Sequence, residues 1–274
     1  MKTTKPTFAI GGIGGSGTRA VAQLLKELGF FIGNDLNPQN DNLLYTLFFK
    51  RKNILITPKQ IFQKQLELFY KLNVTSYQPS LEEYIFLENL AKNANIQHDS
   101  HWLYKRIENL QNKKPIDIRW GWKEPNTHII IDKILEHTPD LKFIYVYRNG
   151  LDMAFSSNQN QLQFWGEIFL NEFNLQITPK NSLTYWCNVH RRMIQLKNSF
   201  PHNIFMLDLD NFYLNEINNL KKLFSFLEIS PDKTKKFQNI ITKPTSLGRY
   251  KQYSLDQFDP EDLSYLQSIY TLGN

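Results

Sequence analysis

The sequence predicts an α/β domain in which a parallel β-sheet is flanked by helices, with a helical insertion between the first and second strand–helix units. Short apolar segments suited to strands alternate with amphipathic helical patterns at both ends of the chain. Residues 141–148 (LKFIYVYR) are almost continuously apolar and aromatic, which is typical of a strand covered on both faces. Repeated strand–helix units favour a parallel sheet with ligand sites at the carboxyl ends of its strands.

The first unit consists of a strand at residues 8–10, a glycine-rich loop and a helix that ends at Gly29. The apolar positions of this helix recur at helical spacing and are Ala20, Val21, Leu24, Leu25 and Leu28. Further strands are expected at residues 116–122, 141–148 and 204–207. Helices are expected over residues 127–137, 152 to about 158, and 217–227.

Residues 42–112 carry mainly helical signals and are interpreted as an insertion, on the acceptor side, within a single domain covering residues 1–274. Thr57-Pro58 begins one helical segment, and Ser80 with Glu83 forms a capping box ahead of another. The aromatic residues of the insertion are interpreted as core, with the lining of a ligand pocket as the alternative; they are Tyr45, Phe48, Phe49, Trp102 and Tyr104.

Composition limits the classes of partner. The 32 Lys and Arg exceed the 26 Asp and Glu, which suits an anionic ligand, but no basic arm predicts nucleic-acid binding. The single cysteine, Cys187, excludes an internal disulfide and is expected to be buried. His190 is expected to be a packed or surface residue of a helix rather than a metal ligand. The six His show no metal spacing. No apolar segment suits a membrane span or a signal peptide, and a cytoplasmic protein is expected.

The glycine-rich stretch FAIGGIGGSGTRAVAQLL, residues 8–25, fits two known nucleotide loops imperfectly. Gly12, Gly14 and Gly17 match GxGxxG, and Asp35 lies 18 residues after the third glycine, as in a nicotinamide- or flavin-binding oxidoreductase. That alternative requires a second strand ending at Asp35. A Walker A loop is disfavoured because Thr18 stands where its lysine belongs.

A third interpretation makes the loop an anion cradle. Successive backbone N–H groups of residues 14–18 would point to an oxyanion at the start of the following helix, where the helix dipole also favours negative charge. The hydroxyls of Ser16 and Thr18 and the charge of Arg19 fit the same role. A tight turn without a ligand is the simpler alternative.

A second motif, YVYRNGLDMAFSS at residues 145–157, ends a strand with Arg148 and then places Asn149, Asp152 and Ser156. Joined to the glycine loop, it resembles the sulfotransferase family that uses 3′-phosphoadenosine 5′-phosphosulfate (PAPS), where Arg-Asn/Asp-x-x-Asp-x-x-x-Ser follows a strand. The Gly-Thr-Arg-Ala form of the loop resembles enzymes that sulfate glycans. Residues 121–125 (GWKEP), 204–230 and 246–254 (SLGRYKQYS) resemble further family segments in the same order.

The resemblance implies a P-loop-like fold, PAPS as co-substrate and no metal. It implies in-line transfer of a sulfuryl group to a hydroxyl or amine of a small-molecule or glycan acceptor. The residues it implies in nucleotide binding are Gly14, Gly15, Ser16, Gly17, Thr18, Arg19, Arg148, Ser156 and Arg249.

The same resemblance exposes one departure. Relatives usually carry Lys or Arg where Gly15 stands, and either Lys123 or Arg19 is expected to supply that charge, with Lys123 preferred. If neither does, the protein is a non-catalytic PAPS-binding relative. For the base that accepts the acceptor's proton, Asp41 and Glu124 are ranked ahead of Asp35 and His128. Lys123 and Glu124 both reach the site only if the strand ends by Trp122.

Overall fold

The computed structural model describes residues 5–74, 77–93, 97–112, 119–238, 240–241 and 243–270. Its centre is a four-stranded sheet of β1 (Phe8–Gly12), β2 (Gly121–Lys123), β3 (Lys142–Tyr147) and β4 (Ile204–Asp208). The strand order is β2-β1-β3-β4, and all three pairings are parallel. The predicted parallel sheet is confirmed. Of the expected strand at 116–122, residues 116–118 lie outside the described part of the chain.

Helices cover both faces of the sheet. Their bounds are α1 (Thr18–Glu27), α2 (Leu43–Phe49), α3 (Lys59–Val74), α4 (Leu81–Lys92), α5 (Ser100–Glu108), α6 (Ile131–His137), α7 (Gly150–Ala154), α8 (Asn160–Leu170), α9 (Pro179–Ser199), α10 (Leu209–Phe212), α11 (Glu216–Phe226) and α12 (Pro260–Ile269). Short 3₁₀ helices lie at Lys52–Ile56, Asn109–Asn112, Pro125–Ile129, Tyr213–Asn215, Pro231–Phe237 and Arg249–Gln252.

The side chains of β3 alternate between two hydrophobic clusters. Ile144 and Val146 pack with α1 and α11, whereas Phe143 and Tyr145 pack on the opposite face with α9 and the insertion. Because a strand sends successive side chains to opposite faces, a strand buried on both sides must be apolar throughout. The interpretation of residues 141–148 as a doubly covered strand is therefore confirmed.

The insertion between α1 and β2 is helical, as expected, and consists of α2 to α5. Its capping box is present, since the Glu83 amide donates to Ser80 Oγ (3.2 Å) and the Ser80 amide to Glu83 Oε2 (2.8 Å). Tyr45, Phe48 and Phe49 are buried in the core. Cys187 is also buried, and His190 stacks on Trp186.

Two predicted elements differ from the structure. The helix expected over residues 152–158 is α7 and ends at Ala154, because the Gln159 side chain donates to the carbonyls of Met153 (3.0 Å), Ala154 (3.3 Å) and Ser156 (2.8 Å). Ser156 consequently lies in the turn after the helix. The helix expected over 127–137 is divided into a 3₁₀ turn, Pro125–Ile129, and α6.

The strand that an oxidoreductase would need at Asp35 is not present among the described residues. Between α1 and α2 the chain makes one isolated bridge to the parallel sheet, Phe31 to Trp120, while β1 pairs with β2 and β3. The described residues therefore lack the second strand that the dinucleotide-binding alternative requires at Asp35.

Candidate functional site

The glycine loop turns sharply between the end of β1 and the start of α1. Its backbone is left-handed at Gly15 (φ 92°) and at Gly17 (φ 91°), which favours glycine at both positions. A Cβ on Gly17 would lie 2.1 Å from Cδ2 of Leu209, a buried residue just after β4. The loop is thus held close to the carboxyl end of the sheet.

Donor groups collect at the start of α1. The Ser16 amide donates to Ile13 O (3.0 Å) and the Ala20 amide to Gly17 O (3.0 Å), but the three amides between them have no acceptor in the described part of the chain. The Ser16 hydroxyl is buried and likewise has no hydrogen-bond partner among these residues. The first turn of α1 contains no acidic side chain. Free N–H groups at a helix N-terminus favour an anion, as the sequence predicts.

Arg148 follows β3 and is fixed by two hydrogen bonds. Its Nε donates to Asp210 Oδ1 (2.8 Å), and its Nη1 donates to Ser246 Oγ (2.9 Å). Nη2 has no hydrogen-bond partner among the described residues, the Asp152 carboxylate lying 3.9 Å away. A buried guanidinium with an unused donor is suited to bind a phosphate oxygen.

The two motifs meet at Ser156. Its hydroxyl lies 3.7 Å from the position that a Cβ on Gly15 would occupy. The same turn places the Asn158 side-chain amide 3.3 Å from the corresponding position on Gly14. The glycine loop and the Arg148 motif therefore form one site at the carboxyl ends of β1 and β3.

The C-terminal segment closes this site on one side. Arg249 Nη1 donates to the carbonyl of Phe155 (3.2 Å), next to Ser156. Arg249, Ser157 and Ser246 line an open cavity of about 470 Å³. Three side chains expected to bind the nucleotide, those of Arg148, Ser156 and Arg249, therefore lie in neighbouring segments of the structure.

A second cavity, of about 320 Å³, lies beside the glycine loop and is lined by Gly14, Asp41 and Glu124. Lys50, Asn158 and Phe164 also line it. Both preferred candidates for the base therefore face a single cavity next to the loop.

Lys123 and Glu124 point in different directions. β2 continues through Lys123, contrary to the condition that the strand end by Trp122, and the Lys123 Nζ donates to Asp41 Oδ1 and to Gln39 O (3.1 Å). Glu124 accepts from the amide (2.5 Å) and side chain (2.9 Å) of Asn126. Burial raises the pKa of the Glu124 carboxyl; Lys50, 3.6 Å away, opposes this rise, and nearby Asp41 reinforces it.

The sequence of residues 6–233 matches the family model described as "Sulfotransferase family". The chain belongs to this sulfotransferase family. Three solved structures are similar to this chain at low sequence identity. A sulfotransferase from Alicyclobacillus acidocaldarius is 13% identical, with 98% of this chain and 97% of that chain covered and a TM-score of 0.45. Sulfotransferase STF9 from Mycobacterium avium is 13% identical, with 98% of this chain and 76% of that chain covered and a TM-score of 0.44.

Retinol dehydratase, solved with androsterone and the inactive cofactor PAP, is 12% identical, with coverages of 97% and 71% and a TM-score of 0.39. No match was found among curated proteins. Among the residues that the structure describes, no helix combines the length and apolarity needed to cross a bilayer, and no cluster of three or more His, Cys, Asp or Glu is placed to hold a metal.

Two of the sequence candidates for the base, Asp35 and His128, do not line the cavity at the glycine loop of this sulfotransferase. Asp35 accepts from Arg106 (3.4 Å) and Asn109 (3.0 Å) and does not line the cavity at the loop. His128 is fully buried, with Nδ1 donating to Pro125 O (2.7 Å), and burial lowers its pKa to about 3. Arg19 is exposed on α1. These positions disfavour Asp35 and His128 as the base.

Two residues that the sequence analysis missed contribute to the site. Asp210 orients Arg148. Its position in the acidic turn after β4 could have indicated this residue from the sequence. Lys50 is the one Lys or Arg among the described residues lining the cavity at the loop. Nothing in its local sequence marks it, because it reaches the cavity only through the packing of the insertion.

Proposed function

We propose that this sulfotransferase takes its sulfuryl group from PAPS and transfers it in line to a hydroxyl of an acceptor bound in the cavity beside the glycine loop. The observation that carries the proposal is the contact between the two motifs, with Ser156 Oγ 3.7 Å from the Cβ position of Gly15. One motif offers amides to a 5′-group and the other offers Arg148 to a 3′-phosphate. A nucleotide that carries both groups suits a site built this way.

The unpaired groups of the site fit the nucleotide. The free amides after Ser16, with the hydroxyls of Ser16 and Thr18, would hold the 5′-phosphosulfate. The unused Nη2 of Arg148, with Ser156 and Arg249, would hold the 3′-phosphate. When bound, PAPS supplies the activated sulfuryl group.

We assign proton acceptance to Asp41. Its side chain is 20% exposed and lines the cavity, whereas the side chain of Glu124 is 2% exposed and is engaged by Asn126. The ion pair with Lys123 places a positive charge beside Asp41, and we assign to Lys123 the charge that Gly15 lacks. Residues 42–112, in a single domain with the rest of the chain, then form the acceptor side.

Calorimetry with adenosine 3′,5′-bisphosphate and adenosine 5′-monophosphate tests the donor. We expect the bisphosphate to bind more tightly, and Arg148→Ala to weaken its binding about 10- to 100-fold while the monophosphate changes little, because hydrogen bonds from a charged group are lost at the 3′-phosphate alone. Arg191→Ala is the control, because Arg191 is a half-buried arginine of α9 that pairs with Asp262 (3.6 Å) and makes no contact with Arg148. Equal affinity of the wild-type protein for the two nucleotides would exclude PAPS.

The left-handed backbone at Gly15 supports a second candidate, a non-catalytic PAPS-binding relative. A Cβ is disfavoured at this φ of 92°, so the usual cation is absent for a structural reason. This candidate predicts that donor binds without release of its sulfate. Sustained release of bisphosphate in the presence of a hydroxylated acceptor excludes it.

A further inference from the structure

Two buried carboxylates flank Arg148 and make different contacts. Asp210 orients the arginine, because it accepts from Arg148 Nε (2.8 Å) and from the Asn149 amide (2.6 Å). Asp152 lies 3.9 Å from Nη2 and makes no hydrogen bond to the guanidinium. The Asp152 carboxylate instead accepts hydrogen bonds from backbone amides much later in the sequence.

Asp152 binds the C-terminal loop of residues 246–252 through both of its oxygens. Oδ2 accepts from the Gly248 amide (2.7 Å), and Oδ1 accepts from the Tyr250 amide (3.0 Å). The Asp152 side chain is 2% exposed. Two charge-assisted bonds from one buried carboxylate fix both the position and the orientation of the loop.

The residue between the two bound amides is Arg249. Its guanidinium reaches the carbonyl of Phe155, beside Ser156, and three residues earlier in the loop Ser246 contacts Arg148. The loop therefore carries groups to two sides of the same subsite. Their placement depends on where residues 248 and 250 are held.

Tyr250 is the one residue of this loop that packs against the hydrophobic core. Thr245, Leu247 and Lys251 are exposed, and Tyr253 stacks on Phe155 (4.0 Å between ring centroids) only beyond its end. A segment with few buried apolar contacts opens readily unless specific bonds hold it. Asp152 provides two of those bonds, in addition to the ones that Ser246 and Arg249 make.

We propose that Asp152 is a positioning residue that gives the nucleotide site its preference for a 3′-phosphate. It does so by fastening residues 248–250 against α7, so that Arg249 and Ser246 lie beside Arg148. This inference rests on the proposed donor. It assigns no contact between Asp152 and the nucleotide.

The test compares two nucleotides in matched variants by calorimetry. For Asp152→Asn we expect the affinity for adenosine 3′,5′-bisphosphate to fall about tenfold or more, since one amide would face an N–H group instead of an oxygen. Affinity for adenosine 5′-monophosphate should stay nearly constant. Asp262→Asn is the control, because Asp262 is another buried carboxylate and binds Thr184 Oγ1 (2.7 Å) away from the site. It should lower stability and leave the ratio of the two affinities unchanged.

Amide hydrogen exchange in the unligated wild-type protein gives an independent measurement if Asp152→Asn does not fold. Protection of the Gly248 and Tyr250 amides supports the inference, and exchange at the rate of an open loop overturns it. An unchanged nucleotide preference in folded Asp152→Asn also overturns it. A wild-type protein that does not distinguish the two nucleotides overturns the donor assignment itself, whatever the exchange result.

Discussion

At the level of single residues, Asp41 and Glu124 line one cavity but have different surroundings. Asp41 is partly exposed and paired with Lys123, with Oδ2 also accepting from Asn37 Nδ2 (2.7 Å). Glu124 is almost fully buried, and Asn126, which accepts in turn from Trp165 Nε1 (2.8 Å), holds it in place. An incoming hydroxyl reaches the exposed carboxylate more easily. Glu124 is better placed to order the cavity wall.

These surroundings predict different kinetic effects. Asp41→Asn should lower kcat about 10²- to 10⁴-fold, the usual contribution of a general base, with bisphosphate affinity unchanged. Glu124→Gln should lower kcat less than about tenfold, because Gln keeps one oxygen for Asn126. Steady-state kinetics with PAPS and a hydroxylated acceptor measure both. A larger loss in Glu124→Gln than in Asp41→Asn would transfer the role of base to Glu124.

At the level of elements, the glycine loop depends on its backbone conformation. Gly17 and Gly29 flank α1 at its two ends, and both are left-handed, with φ of 91° and 88°. They differ in their neighbours, since a Cβ on Gly17 meets Leu209 at 2.1 Å and a Cβ on Gly29 meets nothing within 4 Å. A substitution at Gly17 can therefore be compared with a control substitution at Gly29, at the other end of the same helix.

Gly17→Ala and Gly29→Ala should each destabilise the protein by about 1 kcal/mol from left-handed strain, with an added loss for Gly17→Ala where Leu209 must move. Only Gly17→Ala should weaken binding of adenosine 3′,5′-bisphosphate, because it displaces the amides of the loop. Urea unfolding and calorimetry measure the two effects. Equal binding by both variants would show that the loop conformation is not needed for the nucleotide.

Sequence patterns predicted the elements whose determinants are local. The doubly covered strand at 141–148, the capping box of α4 and the order of the motifs all follow from short-range residue spacing. The end of α7 was missed because it depends on the Gln159 side chain returning to three carbonyls. Lys50 beside Glu124 and Asp35 beside Arg106 were missed because residues far apart in the chain meet only after folding.

At the level of the whole molecule, two buried histidines link folding to pH. Burial lowers the pKa of His128 to about 3 and that of His190 to about 4. Both are neutral in the folded protein at pH 5.5, whereas in the unfolded chain a histidine with a pKa of about 6.5 gains a proton. The unfolded state therefore binds more protons as the pH falls through 6.5.

The free energy of unfolding should accordingly fall between pH 7.5 and pH 5.5, by about 1 to 1.5 kcal/mol for each of these histidines. The free energy of unfolding should continue to fall as the pH approaches the pKa values of His190 (about 4) and His128 (about 3) in the folded state. Urea denaturation at pH 7.5, 6.5 and 5.5 measures it. A constant free energy over this interval would mean that His128 and His190 take up protons in the native protein as readily as in the unfolded chain.

The position of β2 at the edge of the sheet has a consequence for how this architecture diversifies. The insertion, α2 to α5, precedes β2 in the chain, whereas Arg148 and Asp152 follow the inner strand β3 and Asp152 holds the C-terminal loop. Because the insertion precedes an edge strand, another helical segment can replace it without changing the order of the inner strands. Replacing residues 42–112 with the corresponding segment of another family member should therefore change the acceptor specificity and leave the affinity for the nucleotide unchanged.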